Sequence, residues 1–365
     1  MKDTKRPSKA ENRPAGREAA ILKSVIREHI LSGEPIGSRT VSRTRRLDIS
    51  PATIRNVMAA LEERGWLQQP HTSAGRVPTD RAYRWYVDQV VGVARMPAGQ
   101  TEQIERALAS NCGEIADLLS ETSRQLSRYS NHVGLVLAPR LERILVEQIE
   151  FVRLEGRRVV AILVGRSGVV HNRILELSEP VEQRDLDLAG SYLSTEFHGR
   201  TLTEIREELH RRISEERAAY DRLVAASLEL GRRAVEAESA TDVFVNGASN
   251  LLETPEFADP AKIKALMQAL ERKRSLVELL SRVLEEGGVQ VVIGEEQPSA
   301  GLSDCSLVAA SYGAGGRVMG TLGIVGPKRM EYARTIALVD CLAGVLGRFF
   351  SSSGIDEDHL EDQVF

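Results

Sequence analysis

Apolar residues along this chain change their period more than once, and each change predicts elements. From Pro51 onward Ile54, Val57, Met58 and Leu61 recur at i, i+3, i+4 and i+7, a single stripe along a helix. Ser50 suits the N-cap, because its hydroxyl can accept from an otherwise unpaired backbone N–H. Pro51 suits the first helical position, where a missing N–H costs nothing. Upstream, a helix over 17–31 turns Leu22, Val25, Ile26 and Ile30 inward. A shorter one runs from Gly37 to near Arg46, and Leu47-Asp48-Ile49 is a tight connection to Ser50. Downstream, Trp66-Leu67-Gln68 reads as a strand, Ser73-Ala74-Gly75 as a turn and Arg76-Val77-Pro78 as the returning strand. Thr79 then caps a helix over 80–91 with Tyr83, Tyr86, Val87 and Val90 on one side. Residues 92–100, with Gly92, Pro97 and Gly99, read as a linker.

Beyond the linker a helical stretch covers 101–129, with a break at Asn111-Cys112-Gly113. The period then shortens, and strands are predicted over 131–138, 144–151, 158–164 and 169–177. Val159 to Val164 is continuously apolar, as expected of a strand buried on both faces. Residues 178–286 read as a charged, helix-dominated insertion, with helical spacing over 203–238 and 261–284. Three late strands (289–294, 306–312 and 318–325) and a helix over 329–349 follow. The late strands are expected to join the earlier ones in one sheet with helices at its ends, an α+β fold.

The face of the Pro51 helix opposite its stripe carries Ala52, Arg55, Asn56 and Ala59, with Thr53 beside the cap. Small residues let a helix sit deep in a major groove. Arg can fork onto guanine, Asn can pair with adenine, and Thr and Ala methyls can touch thymine methyls. An ordinary amphipathic surface helix would show the same stripe, so the context decides. Two short helices joined by a tight turn make a helix-turn-helix with the second as reader, and a hairpin directly after it is a wing. The candidate DNA-binding residues are therefore Ser38, Arg39 and Thr40 at the start of the first helix, and Ser50, Ala52, Thr53, Arg55 and Asn56 on the reader. His71, Thr72, Ser73 and Arg76 join them from the hairpin, facing the backbone or minor groove. Taken alone, His71 reads as a solvated loop histidine.

These segments resemble a known family. Gly37-Ser38-Arg39, the run Ser50 to Asn56, the run Gln69 to Asp80 and, near the far end, Gly326-Pro327-Lys328-Arg329-Met330-Glu331-Tyr332 are similar to the motifs of the heat-inducible transcription repressor HrcA family. The resemblance spans roughly 20–350 and is weakest over about 180–285. Trp66 stands where Tyr is common, Ala82 where Gly is common and Lys328 where Thr is common, none of them on the reading face. It implies a winged helix-turn-helix domain over 17–91, a GAF-like domain over 101–177 plus 287–350, and an inserted dimerisation domain over 178–286. Residues 241–245, 250–252 and 255–257 are then retained core segments of the insertion. It also implies a homodimer on an inverted-repeat operator upstream of chaperonin and heat-shock genes. The chaperonin is the partner that keeps the repressor active, and heat releases the operon.

Charge supports a localised DNA site. Residues 1–90 hold 17 Lys and Arg against 10 Asp and Glu, and the remainder holds 31 against 42, within a whole-chain net of −4. A basic head on an acidic body is the expected electrostatic footprint. The tails at 1–16 and 351–365 are polar or charged and expected to be flexible. Three widely spaced cysteines suit a reducing cytoplasm, with the nucleoid as the place of the operator-bound form. No apolar run approaches the ~20 residues of a membrane span, and no secretory signal is expected.

Enzyme chemistry and cofactors are not expected. The histidines at 29, 71, 132, 171, 198, 210 and 359 do not cluster at ligand spacing. Gly313-Ala314-Gly315-Gly316 sits between strands and lacks the following Lys-Ser/Thr of a phosphate loop, so a hairpin turn is expected there. Gly326-Pro327-Lys328-Arg329 before a helix could attract a small anion. The alternative to a repressor is a sensor whose GAF-like domain binds a small effector that controls DNA binding.

Overall fold

A computed structural model of the chain describes residues 13–44, 49–71, 74–91, 95–109, 115–139, 145–165, 170–215, 222–235, 243–252, 254–296, 302–314 and 317–352. Both expected tails lie almost wholly outside these residues, as does the expected break at 111–113.

The N-terminal part, the head, is helical with one small hairpin. Helix α1 (Gly16–Ser32) buries Ile21, Leu22, Val25, Ile26 and Ile30. It is closed by Gly33 at φ +72°, whose N–H bonds the His29 carbonyl. Helices α2 (Ser38–Thr44) and α3 (Pro51–Glu63) follow. Strands β1 (Leu67–Gln68) and β2 (Val77–Pro78) pair antiparallel, and Thr79 caps α4 (Asp80–Val87).

The body is built on a five-stranded antiparallel sheet in the order β7-β3-β10-β9-β8, from β3 (Val133–Leu137), β7 (Val243–Asn246), β8 (Val289–Ile293), β9 (Cys305–Ala314) and β10 (Arg317–Pro327). Alternate residues of these strands enter two different cores. Val136, Val308, Ala310, Tyr312, Leu322 and Ile324 face α5 (Ala98–Ala109), α6 (Ile115–Ser130) and α13 (Tyr332–Ser352). Leu135, Leu137, Leu307, Ala309 and Val325 face α10 (Ala248–Leu252), α11 (Pro260–Glu271) and α12 (Lys273–Glu286). Helix α6 approaches β3 so closely that a Cβ on Gly134 would lie 2.2 Å from the Ser123 carbonyl oxygen, which only glycine tolerates. β9 and β10 pair antiparallel on either side of the hairpin turn expected at 313–316, of which residues 315–316 lie outside the described residues.

The single expected sheet is corrected to two. Strands β4 (Val146–Arg153), β5 (Arg158–Gly165) and β6 (Val170–Glu176) form a separate antiparallel sheet. One of its faces is covered by α7 (Gln183–Phe197), α8 (Leu202–Glu215) and α9 (Arg222–Val235) around a third core. Val243–Asn246, expected in the insertion, instead pairs with β3, and Leu251 and Phe257 bury beneath the main sheet. The unit built around the third core runs from β4 to α9. β5 is also not buried on both faces: Val159, Ala161 and Leu163 are covered, while Val160, Ile162 and Val164 are only half-buried. An apolar run shows that a face wants cover, but not whether this chain supplies it.

The outward edge of β4 is closed by α7. Ser194 Oγ accepts from the Ile149 N–H at 2.8 Å and donates to the Ile149 carbonyl at 3.1 Å. Gln183 accepts from the Arg153 N–H at 2.8 Å and donates to the Phe151 carbonyl at 2.9 Å.

His132, just before β3, is largely enclosed, and its Nδ1 has no hydrogen-bond partner among the described residues. Burial, reinforced by the nearby Arg329 charge, pushes its pKa down to about 4. The unfolded chain thus takes up a proton near the ordinary histidine value while the folded chain does not. Stability should fall as pH drops from about 6.5 towards 4, by roughly 3 kcal/mol for this residue. Denaturant midpoints across that window should be steeper for the native chain than for His132→Gln.

Candidate nucleic-acid interface

The expected reader helix starts where its cap predicts. Ser50 Oγ accepts from the Thr53 N–H at 3.2 Å and lies 3.0 Å from Thr53 Oγ1. Ile54, Met58 and Leu61 are buried against the head core, with Val57 packed partly against it. Ala52, Arg55 and Asn56 are exposed on the opposite side, and Ala59 is half-buried beside them. At spacing i, i+3, i+4 they share one face of α3. Arg39 and Thr40 of α2 are also exposed. No described carboxylate pairs with Arg39 or Arg55, so both guanidinium charges face solvent uncancelled. Ser38 differs from expectation: it is buried at the start of α2, so its hydroxyl is not presented with the others.

The hairpin is fastened to the rest of the head. Ile36 and Arg76 exchange both backbone hydrogen bonds at 2.9 Å. A Cβ on Gly75 would lie 2.6 Å from the Ile36 carbonyl, so glycine permits that approach. Gln69 Nε2 donates to the Ala74 carbonyl at 2.9 Å. His71 is exposed, as read from the sequence, while Thr72 and Ser73 lie outside the described residues. Arg76, expected to face the DNA backbone or minor groove, is paired within the head in this structure. Its Nε meets Glu62 of α3 at 2.8 Å and its side chain is only 18% exposed. In this state Arg76 braces the hairpin against α3, because the Glu62 carboxylate lies on the helix flank nearest it. Behind α3, Arg64 pairs with Glu18 of α1 at 2.7 Å. The Arg81 guanidinium lies 4.0 Å from the centre of the buried Trp66 ring.

Head and body meet at a seam that local patterning does not reveal, although Asp80, Lys328, Arg329 and Tyr332 sit in two of the quoted motifs. Asp80 in the first turn of α4 pairs with Lys328 at 2.8 Å. Arg84 pairs with Glu296 through Nε at 2.9 Å and donates to the Val291 carbonyl at the edge of β8. Arg329 pairs with Glu256 and reaches the Ile30 carbonyl near the end of α1 at 3.3 Å. The Tyr83 ring packs on Tyr332 with centroids 6.0 Å apart, and Tyr83 OH lies 2.7 Å from His29 Nδ1. Gly326 and Pro327 end strand β10, and α13 begins only at Tyr332. The structure does not favour a small anion there: Lys328 and Arg329 are already neutralised by carboxylates.

Known proteins resemble this arrangement over nearly its whole length. The family description "HrcA protein C terminal domain" matches residues 116–336. The heat-inducible transcription repressor HrcA of Geobacter sulfurreducens is 41% identical over 332 residues, covering 91% of this chain and 97% of its own. This chain belongs to the HrcA family. The same-named protein of Xanthomonas axonopodis pv. citri is 41% identical over 340 residues, with 93% and 96% covered. A crystal structure described as a hypothetical protein at 2.2 Å resolution superposes with a TM-score of 0.61 at 20% identity, covering 93% of this chain and all of the other, and so shares the fold. HrcA proteins are named heat-inducible transcription repressors, not enzymes. No helix among the described residues is long and apolar enough to cross a membrane.

Replacing Ser50 by Ala removes the cap on α3 and should cost about 1 kcal/mol. The expected readout is a lower urea midpoint with an unchanged slope.

Proposed function

We propose that this HrcA chain is a homodimeric, sequence-specific repressor that occupies an inverted-repeat operator ahead of chaperonin genes. In this reading the head is a winged helix-turn-helix, α3 lies in the major groove and the β1–β2 hairpin is the wing. The observation that carries it is the exposed Ala52, Arg55 and Asn56 face of α3, with its arginine unpaired by any described carboxylate, backed by a buried stripe that fixes which side turns outward. Phosphate contacts supply affinity and salt dependence, and base contacts supply sequence choice. The main sheet with its helices is the GAF-like domain. The chaperonin is the partner that keeps the repressor active, heat ends repression by drawing it away, and the cytoplasm is where this takes place.

The pairing of two heads is assigned to the open face of the β4–β5–β6 sheet. Val152, Val160, Ile162, Val164, Val170 and Ile174 share that face, the side opposite the α7–α9 core. Val170 and Ile174 are 60% and 61% exposed. Gln148, Glu150 and Asn172 lie among these residues on the same face, which is otherwise aliphatic. Such a face suits burial against an identical one across a two-fold axis.

Arg55→Ala or Asn56→Ala should each cost about 1–3 kcal/mol on the cognate site and blur base choice. Gel shifts against cognate and scrambled duplexes measure this, and equal losses on both would show that α3 is not the reader. The same assay without added effector tests the sensor alternative, which requires binding to depend on one. Ile174→Arg should convert the dimer to a monomer in sedimentation, with half-site binding kept and inverted-repeat binding weakened. A variant that stays dimeric would place the interface elsewhere.

A further inference from the structure

The motif from Gly326 to Tyr332 lies outside the helix-turn-helix and the hairpin, yet it meets the head directly. The head is attached to the body at three separated places. The first turn of α4 is held where Asp80 meets Lys328 and accepts from the Glu295 N–H at 3.3 Å. One turn on, Arg84 is held by Glu296 and by the Val291 carbonyl at the sheet edge. The end of α1 is held where Arg329, itself paired with Glu256, caps the Ile30 carbonyl. The head is thus tied to the body through two of its helices, α1 and α4, and not through one, which restricts its rotation.

Two glycines show how closely the surfaces meet. Gly294 has φ +53°, and a Cβ there would lie 2.1 Å from Asp80 Oδ2 and 2.7 Å from Lys328 Nζ. Gly33 has φ +72°, and its Cβ position is 3.1 Å from the Arg329 guanidinium carbon. Between the attachments Tyr83 and Tyr332 are both buried, and Tyr332 OH is itself fixed by Ser306 Oγ at 2.8 Å and the Lys328 carbonyl at 2.6 Å.

We propose that Asp80, Arg84, Glu296, Lys328 and Arg329 are positioning residues for operator recognition, fixing the angle at which the body carries α3 so that both heads of a dimer meet their half-sites together. The inference rests on the two-headed reading above. A dimer gains from its second head only if the geometry lets both engage, and that gain is lost when the heads are free to swing. Seam residues therefore act on the intact inverted repeat and leave the contact of one head with one half-site unchanged.

The test compares the full-length chain with a loosened seam, Glu296→Gln with Lys328→Gln, and with a wedged seam, Gly294→Ala. Lys328→Arg serves as the conservative control. Each is checked for dimer state by sedimentation and for folding by circular dichroism. Each is then titrated with an intact inverted repeat and with a single half-site duplex at one salt concentration. The loosened and wedged chains should lose about 10- to 100-fold on the intact repeat, a part of the 10²–10⁴-fold that linkage can supply. Half-site affinity should stay put, and Lys328→Arg should match the native chain.

Equal losses on both duplexes would overturn the proposal, since the seam would then act on the head's own folding. Unchanged or tighter binding to the intact repeat would also overturn it, the latter by showing that the seam holds α3 away from DNA. If the wedged chain fails to fold, the loosened one alone decides. Failure of the native chain to prefer the inverted repeat at all would instead sink the two-headed reading itself.

Discussion

The buried contact between Tyr83 and Tyr332 is the junction on which the rest of the arrangement depends. Through it the apolar core of the head runs without a break into the core under one face of the main sheet. Neither ring reaches water, and each hydroxyl is held by a fixed partner, at His29 for Tyr83 and at Ser306 and Lys328 for Tyr332. Burial raises both phenols above their ordinary range, so they remain neutral donors or acceptors at any physiological pH. Charged pairs then ring this dry centre, where partial burial makes them worth more than fully solvated ones. The consequence for function is geometric: α3 is carried by a surface fused to the sheet.

How much of this could be read in advance follows from how local each signal is. The α3 helix was legible because its determinants lie within a dozen residues: Ser50 as cap, Pro51 behind it, and Ile54 to Leu61 as a stripe. The α4 cap at Thr79 and the β9–β10 hairpin were legible for the same reason. The division into two sheets was not, because it turns on pairing between β3 and β7, whose residues lie more than a hundred positions apart. Strands of similar composition can be assigned to either sheet when only their own sequence is considered. The contact between Arg76 and Glu62 was hidden for a related reason. A basic residue after a turn looks free until Glu62, 14 positions earlier and on another element, is brought beside it.

The charge pattern gains meaning once the fold is known. The basic head is not uniformly available to an anion: Arg64, Arg76 and Arg84 are spent on carboxylates of α1, α3 and the body. Arg39 on α2 and Arg55 on α3 stay exposed and unpaired by any described carboxylate. Such a distribution gives an attractive patch with a direction, and it limits loose adhesion to any polyanion.

The sealed flank of β4 has a consequence of a different kind. A ribbon of strands can lengthen indefinitely only if every added molecule offers two open rims, one to receive and one to donate. Ser194 and Gln183 occupy one rim of the small sheet with side-chain hydrogen bonds, so that any strand-to-strand joining through this sheet stops at two molecules. The small sheet thereby keeps its open face without also offering β4 as an edge for further strands.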